Sequence, residues 1–277
     1  MLGWRIALLW ALALVVAAGL LALFRPQGRR GRVAVAAVRE CGIVLGLFAV
    51  WQLAGTFAHH TAAGAARRGQ EILDAEAYLH LPSEHSVQHL ISGHDKISQL
   101  CNGYYLYGHF NGLIVFLAWI FLRHRRLYPS VRMSVVLLTA GCFVFHLFLT
   151  VAPPRLLPHG GFVDVAAVYG QSVYGATTIG LADQLSAFPS VHVGWAALVA
   201  WYAWRASPWR WGWVGVAHLV LTTFVVVATA NHYWLDGLLA MAILAVAVAL
   251  QASVPLLARG SRAGASRAEV AEEPALV

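Results

Sequence analysis

Charge is scarce in this chain. Asp, Glu, Lys and Arg make up 11% of its 277 residues, against roughly 25% in a typical soluble domain. Lysine is almost missing, with Lys96 the only one. Apolar residues reach 60% and the mean hydropathy is +0.67, which excludes an ordinary soluble globule. Cysteine is also sparse. Cys41, Cys101 and Cys142 form no CxxC and no structural zinc pattern, which excludes a disulfide scaffold and a zinc module. Cys41 and Cys142 fall in apolar runs, where a thiol acts as a small hydrophobe. There is no internal repeat. No small-residue cleavage site follows the first apolar run, and Arg25, Arg29, Arg30 and Arg32 come directly after it, which speaks against a removed signal peptide. The net charge is +7, but its basic residues are scattered over short loops, so no nucleic-acid face is expected.

What is present is a series of long apolar runs. Membrane spans are expected near 5–24, 38–58, 105–122, 132–151, 191–206, 210–228 and 234–254. The fold class is therefore all-α, a polytopic membrane helix bundle of about seven spans. Residues 1–37 read as a first span with a basic loop, 38–258 as the main membrane domain, and 259–277 as a disordered cytoplasmic tail. Arg25 to Arg39, Arg123 to Arg132, Arg205 with Arg210, and Arg259 to Arg267 hold most of the 19 Lys+Arg. They fall on one side if the spans alternate, and the positive-inside rule makes that side the cytoplasm. Trp201, Trp204, Trp209, Trp211 and Trp213 read as an interfacial aromatic belt there. The opposite side receives 59–104, 152–190 and the link at 229–233, with Cys101 facing it. Stretch 59–100 is expected to form short amphipathic helices broken near Pro82, lying at the membrane surface.

Two strings open spans on that outer side: Pro189-Ser190-Val191-His192 and His232-Tyr233-Trp234-Leu235-Asp236. An ionisable group at the mouth of an apolar segment is costly and is a functional candidate. His232 and Asp236 share one helical face, so the carboxylate can orient the imidazole. Ser190 suits an N-cap, leaving backbone N–H groups to meet an anion. Arg155, stiffened by Pro153 and Pro154, offers a bidentate guanidinium for phosphate. Two histidines, one backed by an aspartate, suit covalent phosphoryl transfer. His146 and His218 lie within spans and read as packed against neighbouring helices; Asp164 and Asp183 could hold a headgroup or the loop. His80, His85, His89 and His94 recur closely, but their acidic and cysteine company is poor for a metal.

Together these strings resemble the type 2 phosphatidic acid phosphatase superfamily over roughly residues 100–255. Ala152-Pro153-Pro154-Arg155 and Ala187-Phe188-Pro189-Ser190-Val191-His192 resemble the branch of inositol phosphorylceramide synthase and its bacterial relatives. The resemblance implies a six-helix core with the catalytic groups at one membrane face, His232 as nucleophile, Asp236 orienting it, His192 protonating the leaving alkoxide, and Ser190 with nearby backbone N–H groups binding phosphate. Arg155 is expected to add a substrate contact, and a bacterial plasma membrane is the expected location. It implies no metal and no cofactor, and a membrane lipid phosphate as substrate. The phosphatase pattern places a lysine where Phe148 stands, a proline where Leu156 stands, and Ser-Arg where Val225 and Val226 stand. Two phosphate-binding cations of the phosphatases are thus replaced, while the synthase branch also lacks the second. Water as acceptor gives a phosphatase; a hydroxyl such as inositol's gives a transferase. The alternative from a different class is a non-catalytic protein that binds or moves an anionic lipid.

Overall fold

The computed structural model describes residues 3–24, 28–55, 64–171, 185–207 and 209–271. Asp183 lies outside them. The described chain is helical, apart from an isolated bridge between Val151 and Ser186. Helices α1 (Trp4–Leu23) and α2 (Gly28–Gly55) pack on each other as one compact unit. Small residues make that contact: Ala7, Ala11 and Ala18 are buried, and a Cβ on Gly42 would lie 3.0 Å from the Ala11 carbonyl. The boundary expected at residue 37 falls inside α2.

The rest of the described chain forms a second unit. It begins with amphipathic α3 (Ala65–Tyr78), which stops before Pro82, where His80 takes a φ of 55°. Short α4 (Glu84–His89) follows, as the pattern of stretch 59–100 predicts. Helix α5 (Asp95–Gly103) runs through a π-helical turn, Tyr104–Gly108, into α6 (His109–Arg123). Helix α7 (Tyr128–Phe148) carries Pro129 in its first turn, where no N–H is required. A 3₁₀ turn (Pro154–Leu156) and α8 (Val165–Val168) punctuate the following loop. Helices α9 (Val191–Ala206), α10 (Arg210–Ala228) and α11 (Trp234–Ala271) complete the unit. Helix α11 continues past Ala258, where the sequence predicts a disordered tail; Ala, Arg and Glu there are good helix formers.

Six helices among the described residues are long and apolar enough to cross a membrane, so the protein is an integral membrane helix bundle. Helix α9 is shorter, at 16 residues, or ~24 Å of rise. It is also the most enclosed, with Ala196, Ala197, Leu198, Val199 and Ala200 all buried. The core joins Ile120 of α6, Val131 and Leu138 of α7, Leu198 of α9 and Ala240 of α11. Polar ties cross it where hydrocarbon leaves no water to substitute. Trp195 Nε1 donates to Thr139 Oγ1 at 3.0 Å, and Ser134 and Tyr202 hydroxyls meet at 2.8 Å. Trp201, Trp204, Trp209, Trp211 and Trp213 are exposed, as a belt requires. Cys101, expected to face the outer region, is instead buried against Ile91, Val225 and Ala228.

Candidate active site

Three chain turns meet at one end of the second unit. The loop after α7 supplies Val151 to Arg155, the turn before α9 supplies Ala187 to Ser190, and the turn before α11 supplies Ala230 to Tyr233. Main-chain bonds stitch them together: Val151 N–H to Leu185 O at 2.8 Å, Arg155 N–H to Ala230 O at 3.0 Å, Ser190 N–H to Asp236 O at 3.2 Å. Tyr233 adds a phenolic O–H to Ala152 O at 2.6 Å. Burial, and then the carboxyls of Asp236, Glu76 and Glu84, push the Tyr233 phenol up, so it stays a donor. Gly69 of α3 makes this closure possible. A Cβ there would sit 2.6 Å from the Tyr233 hydroxyl and 2.8 Å from Ala152 O.

His232 and Asp236 lie at the mouth of α11, both buried. Asp236 Oδ2 accepts from His232 Nδ1 and from Tyr233 N–H, each at 2.9 Å. The second bond is half of a capping box: a carboxylate in the first turn reaches back to the residue before the helix. One side chain therefore caps the helix and aims the imidazole. His232 Nδ1 also lies 2.9 Å from Ala187 O. Both neighbours are acceptors, so Nδ1 carries the hydrogen and Nε2 keeps the lone pair. That Nε2 faces His192 Nδ1 at 2.9 Å.

Ser190 caps α9, its buried Oγ accepting from Val193 N–H at 3.4 Å. His146 of α7 holds the same turn through Pro189 O at 3.0 Å. His218 meets the Tyr104 hydroxyl at 2.8 Å, packed between helices as its position predicts. Arg155 is tied to the histidine turn through its main chain, while its buried guanidinium lies with Nε 3.9 Å from Asp164 Oδ2. Asp164 also caps α8 through Ala167 N–H at 3.0 Å. Asp164 thus holds the loop. His85 is spent on Gly160 O at 2.9 Å. Among the described residues no group of three or more His, Cys, Asp or Glu could cage a metal.

Sequence reasoning missed three contributors. His109 stacks edge-on against the His192 ring, centroids 4.4 Å apart. Its signal was an ionisable residue inside an apolar span. Glu76 of α3 accepts Leu235 N–H at 2.6 Å, so a carboxyl from the amphipathic stretch caps α11. Burial first, and the facing Glu84 carboxyl second, push Glu76 up from 4.5 to about 9. Arg68 Nε donates to Thr150 O at 2.6 Å, fixing α3 to the same loop. Leu81 and Pro82 ahead of α4, Val193 of α9, and Trp234, Gly237 and Met241 of α11 line an apolar groove of about 180 Å³.

The positions of the two phosphatase cations are apolar in fact as well as in pattern: Phe148 is exposed, while Val225 and Val226 are buried. No curated protein and no solved structure matches the chain. Residues 70–250 match the family described as the PAP2 superfamily. That match begins ahead of residue 100, taking in the amphipathic stretch that contributes Glu76, and it spans more than half of the chain. The chain belongs to the PAP2 superfamily.

Proposed function

We propose that this protein is a metal-independent membrane phosphoryl-transfer enzyme that acts on a lipid phosphate or phospholipid headgroup. The observation that carries the reading is the chain Asp236–His232–His192, with 2.9 Å at each link. Membership of a superfamily of phosphatase type supports it. His232 Nε2 attacks phosphorus and forms an N–P bond as the lipid's P–O bond breaks. Asp236, a buried carboxylate on Nδ1, balances the positive charge that develops on the ring. His192 occupies the position from which a proton reaches the leaving oxygen. In the second half, an acceptor hydroxyl loses its proton to His192 and attacks phosphorus, and the N–P bond breaks. The Val191 and His192 N–H groups at the start of α9 and the Arg155 guanidinium supply the positive field for the phosphate oxygens.

The almost wholly apolar groove beside Val193 and Trp234 suits a hydrocarbon chain, which favours a lipid over a soluble phosphate. The basic loops favour the extracytoplasmic face of a plasma membrane for the site. The replaced cations and the Ala-Pro-Pro-Arg string favour the inositol phosphorylceramide synthase-like branch, hence a hydroxyl acceptor such as inositol. The test is a panel of lipid phosphates and phosphodiesters with purified protein, with and without inositol or glycerol, read by mass spectrometry. A transferred product that disappears in His232→Ala supports the transferase. Free phosphate as sole product makes it a phosphatase, and equal turnover in His232→Ala ends the phosphohistidine reading. Binding of anionic lipid with no turnover would leave the non-catalytic alternative.

A further inference from the structure

The hydrogen-bond pattern that prepares His232 leaves His192 with a proton deficit. His232 Nδ1 faces two acceptors, so its Nε2 is bare and His192 Nδ1 must be the donor across their 2.9 Å contact. Neutral His192 then carries its single hydrogen on Nδ1, and its Nε2 is bare. Passing that hydrogen to an alkoxide would leave an imidazolate unless a second proton reached Nε2.

One further imidazole packs against the His192 ring. His109, the first residue of α6, is only 6% exposed. Its ring meets that of His192 edge-on, centroids 4.4 Å apart at 71°. Its Nδ1 is buried with no close hydrogen-bond partner, and the carbonyls of Tyr104 and Tyr105 in the π turn are the backbone acceptors the ring faces. The π-helical turn just before it places Tyr105 in another ring contact with His192, centroids 5.0 Å apart. Such turns recur at functional sites. The titratable groups facing the pair are Tyr105 from the π turn, His146 from α7, His218 from α10 and His232 from the turn before α11.

We propose that His109 is a positioning residue that works through His192 by sharing one extra proton with it. The inference rests on the phosphohistidine reading above. The proton is taken up from solvent when an anionic phosphate enters, and it resides on His109. As the lipid P–O bond breaks, His192 Nδ1–H goes to the leaving oxygen and the His109 proton goes to His192 Nε2. Both rings end neutral. When the acceptor hydroxyl attacks, its proton enters His192 Nδ1 and the Nε2 proton returns to His109, restoring the first state. The cycle neither gains nor loses a proton.

The test uses full-length protein in detergent, with His109→Phe, which keeps a ring and loses its nitrogens. Calorimetry of inorganic phosphate binding in two buffers of different ionisation enthalpy counts the protons taken up. The wild type is expected to take up about one proton more than His109→Phe. With the lipid panel, kcat is expected to fall at least about tenfold with KM within about twofold. The alkaline limb of the kcat profile should move to lower pH, because His192 must then carry the extra proton itself. His109→Gln, read in the same way, covers a failure of the Phe variant to fold. Wild-type proton uptake and an unmoved pH profile in either folded variant overturn the inference and leave the His232 mechanism standing. Equal turnover in His232→Ala, or neither phosphate binding nor turnover by the wild type, overturns both.

Discussion

Asp236 Oδ2 accepts two hydrogen bonds, one from the His232 imidazole and one from a backbone N–H at the helix mouth. Function and fold therefore compete for one oxygen. Asp236→Asn keeps an acceptor for both donors but removes the charge opposite the imidazolium. Its kcat is expected to fall by about 10²–10⁴, with the helix intact by circular dichroism. His232→Ala removes the nucleophile and is expected to cost about 10⁴–10⁶. Steady-state turnover on any accepted lipid checks both, and the reverse order of severity would remove His232 from the nucleophile's role. The proton state of His192 is fixed one residue further out, by what His232 Nδ1 already holds.

At the scale of elements, α3 is the unexpected participant. It reaches α11 through Glu76 and the loop after α7 through Arg68 and Gly69. Gly69→Ala introduces a methyl 2.6 Å from the Tyr233 hydroxyl and 2.8 Å from Ala152 O. Backbone on one side cannot yield, so the helix must lift; a loss of roughly 1–3 kcal/mol is expected, with reduced kcat. A thermal melt equal to the wild type would mean α3 moves freely. Glu76 makes the contact pH-dependent. Its folded value of about 9 lies above the ordinary 4.5, so between those values the folded chain holds a proton that the unfolded chain has released. Stability is then lost as pH rises through that window and levels off above it. Glu76→Gln keeps an acceptor for Leu235 N–H and carries no titrating proton. It should melt several degrees above the wild type at pH 8 and lose that advantage near pH 4.5. Parallel melting curves at all pH values would show that Glu76 is not held protonated.

For the whole molecule, the arrangement of basic loops makes a prediction about sides. In a chain stripped of its own cysteines, Ser83→Cys lies between α3 and α4 near the groove, and Arg126→Cys lies between α6 and α7. An impermeant maleimide added to intact cells is expected to label the first, and the second only after permeabilisation. The reverse pattern would put the site in the cytoplasm and overturn the extracytoplasmic assignment.

Sequence by itself determined the class and the pairing of His232 with Asp236. Apolar runs dictate helices in any bilayer, because backbone polar groups have no other partner there. Spacing on one helical face dictates that His232 meets Asp236. Proline and Ser190 mark the start of α9 for the same local reason. Tertiary structure alone decided what has no sequence period. Ala187 O on His232, Glu76 on Leu235, His146 on Pro189 and His109 on His192 join residues far apart in the chain, through loops whose course local propensity does not fix. It also decided Arg155, whose guanidinium lies toward Asp164 because the loop after α7 folds back on α8. Local sequence set which polar groups open the helices; packing chose which nitrogen of each imidazole carries a proton, because only a neighbour across the fold can make that choice.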